Sequence, residues 1–146
     1  MTLIKDNKDK SNNSSLNLAF ESIDSCFGYV DYITSQIQKL TVQYNEGNLE
    51  AANDAFVEVI ELMDLYIQLV SRVYRVLRTD LEVMNFKDES IQKLEIHLLS
   101  VMKALLQAKE KNDTIMLCDL LEYELVDNLT QWKIKILPEL KKLKNY

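Results

Sequence analysis

Glycine and proline are scarce in this sequence of 146 residues, which contains 2 glycines and 1 proline. β-Hairpins and tight turns depend heavily on these two residue types. With so few of them, and with 47% apolar residues, the composition disfavours a β-rich fold and favours packed helices. A chain of this length is expected to form one domain around a single core.

The residues that common catalytic and cofactor sites require are equally few. Gly28 and Gly47 are too far apart to form a glycine-rich phosphate loop. The single histidine, His97, has no glutamate three residues before it, so the Glu-x-x-His pair of a di-iron bundle is missing, and we interpret His97 as structural. Cys26 and Cys118 lie in apolar runs without CxxC spacing, which predicts buried, reduced thiols. We therefore expect no enzyme activity, metal or cofactor, although a metal- or ligand-binding bundle stays open as an alternative.

Concentrated positive charge and long apolar segments are also lacking. The formal net charge is −6, whereas binding to nucleic-acid phosphates needs a basic face, so we expect no nucleic-acid partner. There is no apolar run of about 18 residues, and the N-terminal segment does not resemble a signal peptide. We expect a cytoplasmic protein without a membrane span.

Residues 1–14 are polar and lack periodicity, which predicts a flexible, disordered arm in front of a single domain over residues 15–146. Beyond the arm, apolar residues recur at steps of three and four, the spacing of one helix face. The first helix has two such columns, Leu16, Ile23, Val30, Ile37, Tyr44 and Ala19, Cys26, Ile33, Leu40. It should end near Asn45 to Gly47, because glycine readily adopts the left-handed conformation that follows many helices.

The second helical stretch carries three apolar columns, which we expect to form a broad face in the interior of a bundle. The columns are Ala52, Val59, Tyr66, Val73; Ala55, Leu62, Leu69, Val76; and Phe56, Met63, Val70, Leu77. The pattern breaks around Met84 to Lys87, and a third helix follows with Leu94, Leu98, Val101, Leu105 and Ala108.

The fourth helix begins after Asp113, a favourable N-cap residue. Its inner stripe is Leu117, Leu121, Leu125, Leu129, Trp132 and Ile136. Pro138 should kink or end this helix. Since short turns join long helices, we predict an all-α fold, an antiparallel up-down-up-down four-helix bundle.

Two groups of residues are candidates for a partner-binding surface. Arg72, Arg75 and Arg78 close the second helix, and in the predicted bundle they reach the same end as the lysines that close the fourth. Complementing the helix dipole is a sufficient structural explanation for these charges.

The second group lies beside the two apolar columns of the first helix and consists of Phe20, Phe27, Tyr29 and Tyr32. They either widen the core or, where exposed, form a face for a partner helix or a second copy of the chain.

Several features of the chain resemble the flagellin-specific export chaperones. They are Glu46-Gly47-Asn48 followed by LEAANDAFVEVIELM, then Leu94 to Ala108, Asn112-Asp113, Leu117 and Trp132. That family consists of small acidic cytoplasmic helical bundles that hold the C-terminal segment of flagellin unpolymerised until export. The resemblance implies an apolar groove or face that accepts amphipathic helices of an export substrate, without catalysis.

The sequence thus leads to a non-enzymatic, protein-binding helical bundle, a cytoplasmic chaperone or adaptor for an exported or self-assembling protein such as flagellin. A self-associating structural bundle, with the extra apolar columns forming a homodimer face, is the alternative.

Overall fold

A computed structural model describes the backbone of residues 2–81 and 88–145 and the side chains of residues 14–81 and 89–144. Three helices, α1 (Thr2–Asn45), α2 (Leu49–Leu81) and α3 (Asp88–Glu110), are followed by a fourth helical run over residues 114–145, named α4 here. No strand occurs in these ranges, so the predicted all-α fold is confirmed. The predicted flexible arm falls almost entirely outside the described side chains and stays a prediction. The pattern break at Met84 to Lys87 lies outside the described residues.

The turn between α1 and α2 follows from one glycine. Gly47 has a φ of 78°, a conformation that L-residues adopt only at a cost. Its N–H donates to the carbonyl of Tyr44 at 3.1 Å, and the N–H of Asn48 donates to the carbonyl of Gln43 at 3.0 Å. These two bonds satisfy carbonyls that the end of α1 leaves free, an arrangement known as the Schellman motif. The helix end predicted near this glycine is confirmed.

The turn between α3 and α4 repeats this geometry with asparagine. Asn112 has a φ of 56°, and the N–H of Asp113 donates to the carbonyl of Ala108 at 2.9 Å. The Asp113 carboxylate then accepts a bond from the N–H of Met116 at 3.1 Å, which confirms Asp113 as the N-cap. One short segment therefore ends one helix and starts the next.

Polar contacts between helices show their relative directions. In each pair of helices, rising residue numbers on one helix meet falling numbers on the other. The contacts are Tyr32–Glu58 and Tyr44–Asn53 between α1 and α2, Asp24–Lys141 and Asp31–Lys133 between α1 and α4, and Leu94–Asn128 and His97–Glu124 between α3 and α4. All three pairs are antiparallel, so α2 and α4 run in the same direction, as an up-down-up-down arrangement requires.

The buried positions of α1, α3 and α4 agree closely with the apolar columns. In α1 both columns are buried from Ala19 to Tyr44, and in α4 the whole stripe from Leu117 to Ile136 is buried. At the centre of the core, the rings of Tyr66 and Trp132 meet edge to face, with centroids 6.2 Å apart and planes at 89°. This is a favoured geometry for aromatic pairs because the positive ring edge approaches the negative face.

In α2 the broad buried face is only partly realised. The columns of Ala52 and Phe56 are buried over their whole length, whereas the third column, Ala55, Leu62, Leu69 and Val76, is half-buried. Two of the three columns therefore lie in the interior as expected, whereas the third packs against the core at its edge. α2 packs most extensively against α1.

Two wider turns interrupt α4, at Leu120–Leu125 and Trp132–Ile136, where the backbone bonds span five residues. At the second one the N–H of Leu137 donates to the carbonyl of Trp132. Pro138 follows directly, and the helix continues to Lys142 and then Asn145. The wide turn accommodates the proline ring, which in a regular helix would clash with the carbonyl four residues earlier. Of the two predicted effects of Pro138, a kink or a helix end, the helix end is thus wrong.

The difference in burial along α2 predicts different effects for the same substitution. Met63→Asp should prevent folding, because it places an unpaired charge in a fully buried position, at a cost comparable with the total stability of a small domain. Leu69→Asp should leave a folded helical protein, destabilised by about 1–2 kcal/mol. Circular dichroism with thermal denaturation measures both. Equal melting temperatures for the two variants would contradict this assignment of the columns.

Candidate functional site

A groove of about 310 Å³ lies on the surface between α1 and α2. It is the place where the half-buried third column of α2 meets the aromatic side of α1. We refer to it as the α1–α2 groove. Its lining residues are Tyr29, Tyr32 and Ile33 of α1 and Leu62, Leu65, Tyr66, Gln68, Leu69 and Arg72 of α2.

The floor of the groove is buried and its rim is exposed. Ile33 and Tyr66 form part of the floor and belong to the core. On the rim, Tyr29 is 48% exposed, Tyr32 is 47% exposed and Leu65 is 63% exposed. Single exposed apolar residues are common on protein surfaces, but a contiguous group around a depression indicates a binding site. The groove therefore offers apolar and aromatic area that no described part of the chain covers.

The Tyr32 side chain is fixed by a bond across the two helices. Its hydroxyl donates to the Glu58 carboxylate of α2 at 3.1 Å. This bond, together with the negative charge of Glu58, raises the pKa of the Tyr32 phenol above its ordinary value, because the phenolate would lie beside a carboxylate. The bond holds the aromatic ring at the rim in one position, which reduces the entropy lost when a partner binds against it.

Polar groups lie at one end of the groove. Arg72 contributes a positive charge there, and the Gln68 amide donates to the Asp64 carboxylate of the preceding turn at 2.9 Å. From Leu62 to Arg72 the groove follows α2 for about 15 Å, or close to three helical turns. Its dimensions suit side chains spaced i, i+3 or i+4, and i+7 on a helix of a partner.

Of the surface candidates from the sequence, the structure brings three together. Tyr29, Tyr32 and Arg72 line the α1–α2 groove. Arg75 and Arg78 are exposed further along α2 and do not line it.

The two phenylalanines do not join them. Phe20 is only 8% exposed and belongs to the core, so it widens the buried stripe and presents no surface. Phe27 is half-buried, with the Lys141 ammonium 5.9 Å from its ring centroid. At this distance the Lys141 ammonium of α4 makes a cation–π contact with the Phe27 ring of α1.

Sequence reasoning missed the α2 side of the groove. Leu62 and Leu69 were assigned to the interior, and Leu65 was not considered. The available signal was the presence of three apolar columns on one helix, since two columns already suffice for packing in a bundle.

The basic end of the bundle is partly neutralised within the molecule. Lys141 pairs with Asp24 at 3.0 Å, and Lys133 pairs with Asp31. All four side chains are partly exposed, so each pair contributes little stability, about 0–1 kcal/mol. The pairs nevertheless connect α4 with α1.

His97 and Asn128 form a polar network between α3 and α4. The Asn128 amide is fully buried and donates to the Leu94 carbonyl at 3.1 Å and to His97 Nδ1 at 2.9 Å. Since His97 Nδ1 accepts, its Nε2 carries the proton and donates to Glu124 at 3.1 Å. Both ring nitrogens are engaged within the bundle, in agreement with a structural histidine.

Among the residues whose side chains are described, no group of three or more His, Cys, Asp or Glu could hold a metal ion.

Both cysteines are free thiols in buried positions, as expected from their apolar surroundings. Burial raises the pKa of the Cys26 thiol to about 11. Burial also raises the pKa of Cys118, with smaller contributions from Glu122 and Asp119. Thiols of this kind carry little thiolate at neutral pH and react slowly.

Within residues 2–81 and 88–145, no helix is long and apolar enough to cross a membrane.

Residues 21–135 match the model of a protein family described as "Domain of unknown function (DUF8042)". The chain belongs to this family. The matched range covers α2 and α3, most of the described side chains of α1 and the larger part of α4. No curated protein and no solved structure matches the chain. Every residue of the α1–α2 groove lies inside the matched range, so the groove is built from the part of the chain that defines the family.

The raised pKa of Tyr32 can be tested by titration. In the native protein the Tyr32 phenol should ionise at higher pH than free tyrosine, and Glu58→Gln should lower its pKa because the carboxylate charge is removed. NMR with ¹³Cζ-labelled tyrosine resolves the seven tyrosines, and Tyr32→Phe assigns the signal. An unchanged Tyr32 pKa in Glu58→Gln would show that the bond across the helices does not form.

The buried amide predicts a measurable loss of stability. Asn128→Ala should lower the free energy of unfolding by about 1–3 kcal/mol, because it removes the buried bonds from Asn128 to the Leu94 carbonyl and to His97 and opens a small cavity. Thr130→Ala, which removes an exposed hydroxyl on the same helix, is the control and should change stability by less than about 0.5 kcal/mol. Urea denaturation measures both. A comparable small effect for both variants would show that the network contributes nothing.

Proposed function

We propose that this protein is a non-enzymatic binding protein that holds an amphipathic helical segment of a partner in the α1–α2 groove. The observation that carries the proposal is the exposed aromatic and aliphatic rim of the groove above a buried floor. A hydrophobic groove accepts the apolar face of an amphipathic helix, and tyrosine and arginine are enriched among the residues that dominate binding energy. Arg72 favours a partner helix with an acidic side chain next to its apolar stripe.

For the partner, we propose an exported or self-assembling protein such as flagellin, held in the cytoplasm until it is used. The support is the resemblance of Glu46 to Met63, Asn112-Asp113, Leu117 and Trp132 to the flagellin-specific export chaperones. A chaperone of this type works by masking. It covers an apolar helix that would otherwise assemble prematurely and needs no catalytic group. The negative net charge of the chain keeps such a protein soluble while an apolar surface stays exposed.

Direct binding to the C-terminal helical segment of flagellin tests the proposal. Isothermal titration should show binding to the native protein, and Tyr32→Glu or Leu65→Asp should weaken it at least about tenfold, since each places a charge in the apolar contact. Val57→Glu is the matched control, because Val57 is an exposed residue of α2 outside the groove. Its affinity should equal that of the native protein.

Two results would contradict the proposal. Absence of binding to the flagellin segment would remove the proposed partner, and equal weakening by the groove variants and by Val57→Glu would remove the proposed site.

Self-association through the groove is the competing function. It predicts that Tyr32→Glu changes the molecular mass in solution, whereas a binding protein retains its mass.

A further inference from the structure

A second apolar surface lies along α3, at the edge of a cleft that Glu95 and Leu99 border together with Ile67 and Ser71 of α2. Ile96 is 68% exposed, Leu99 is 59% exposed and Leu106 is 52% exposed, and the half-buried Met102 lies between them. Their spacing of three and four residues places these side chains on one face of the helix. The neighbouring face of α3, with Leu98, Val101 and Leu105, is buried in the core. The apolar surface of α3 is thus wider than the part that the core covers. We refer to Ile96, Leu99, Met102 and Leu106 as the α3 face.

Two unpaired charges flank the α3 face at equal distances from its centre. Glu95 lies four residues before Leu99, and Lys103 lies four residues after it. Along the helix the two are eight residues, or about 12 Å, apart, so they cannot pair with each other. Among the described side chains, neither takes part in an ion pair. Glu95 is half-buried, and burial raises the pKa of its carboxyl group, so a nearby positive charge would be favourable.

This symmetry fits a second copy of the same helix in the antiparallel direction. When two α3 helices pack with Leu99 on a twofold axis, each residue before Leu99 lies level with one equally far after it on the other copy. Glu95 of each copy then faces Lys103 of the other, and Ile96 of each faces Met102 of the other. At the usual helix separation of about 8–10 Å these long side chains can meet. A twofold interface must be complementary to itself, and both the Glu95–Lys103 and the Ile96–Met102 contacts meet that condition.

We propose that the α3 face is a homodimer interface, formed by antiparallel packing of two α3 helices centred on Leu99. The reciprocal Glu95–Lys103 pairs set the register, and the apolar residues between them supply the buried area. A different protein would need to present the same pattern of charges by chance, whereas a second copy presents it automatically. The α1–α2 groove contains no residue of α3, so the dimer leaves both grooves open. This inference does not depend on the proposed function.

Sedimentation equilibrium of the full chain tests the dimer. The native protein should approach twice its chain mass of 17.0 kDa as concentration rises. Leu99→Asp should remain monomeric, and Lys103→Glu or Glu95→Lys alone should raise the dissociation constant at least about tenfold, because each brings like charges together at two places. The double variant Glu95→Lys/Lys103→Glu should dimerise as the native protein does. All changed side chains are at least partly exposed, and unchanged circular dichroism spectra and melting temperatures show that the variants fold.

Mixing the single variants gives the sharpest test. Lys103→Glu carries two acidic residues at these positions and Glu95→Lys carries two basic ones, so an equimolar mixture should form heterodimers more tightly than either variant forms homodimers. Native mass spectrometry identifies the species from the mass difference. Val57→Glu and Tyr32→Glu are controls and should dimerise like the native protein.

Three results would overturn the proposal. They are a native mass of 17.0 kDa up to the solubility limit, a dimer that persists in Leu99→Asp, and a dimer that Tyr32→Glu abolishes. The last would place self-association in the groove. Failure of flagellin to bind has no bearing on this test.

Discussion

The packing of α2 is the constraint on which the rest of the structure depends. A helix in a bundle of four can cover its sides only where neighbours lie, and α2 is packed mainly against α1. Two apolar columns of α2 fill the core, including the edge-to-face contact of Tyr66 with Trp132. Its third column has no complete cover and leaves Leu62 and Leu69 half-buried. The α1–α2 groove is the direct consequence of this third column.

Much of the fold could be predicted from the sequence because its signals are local. The glycine at position 47 and the Asn112-Asp113 pair determine where helices end and begin, since few residues adopt positive φ or cap a helix equally well. Column spacing predicts which face of each helix turns inward. It does not predict how much of that face is covered, because cover depends on the distances between helices. For this reason Phe20 could not be distinguished from Tyr29 and Tyr32 before the packing was known.

The wide turns of α4 show a signal that was present but not used. Leu117, Leu121, Leu125 and Leu129 follow one another at a constant step of four. In a regular helix each such step advances by about 40°, so the stripe would rotate by about 120° from the first leucine to the last. All four leucines are nevertheless buried. The wide turn at Leu120–Leu125 takes up part of this rotation, and the one at Trp132–Ile136 lets the helix pass Pro138. In α4, the constant step of four therefore coincides with local unwinding of the helix.

The two exposed apolar surfaces have different chemistry, which argues against a single role for both. The α1–α2 groove is concave and asymmetric, with tyrosines on one side, leucines on the other and an arginine at one end. Such a surface suits a ligand that differs from the chain itself. The α3 face lies along a single helix, and its charges are placed symmetrically about Leu99. Such a surface suits its own copy, because a twofold pairing satisfies both charges at once. A dimer through α3 would present two open grooves, and a partner with repeated or clustered helices would then bind with higher avidity than to one groove alone.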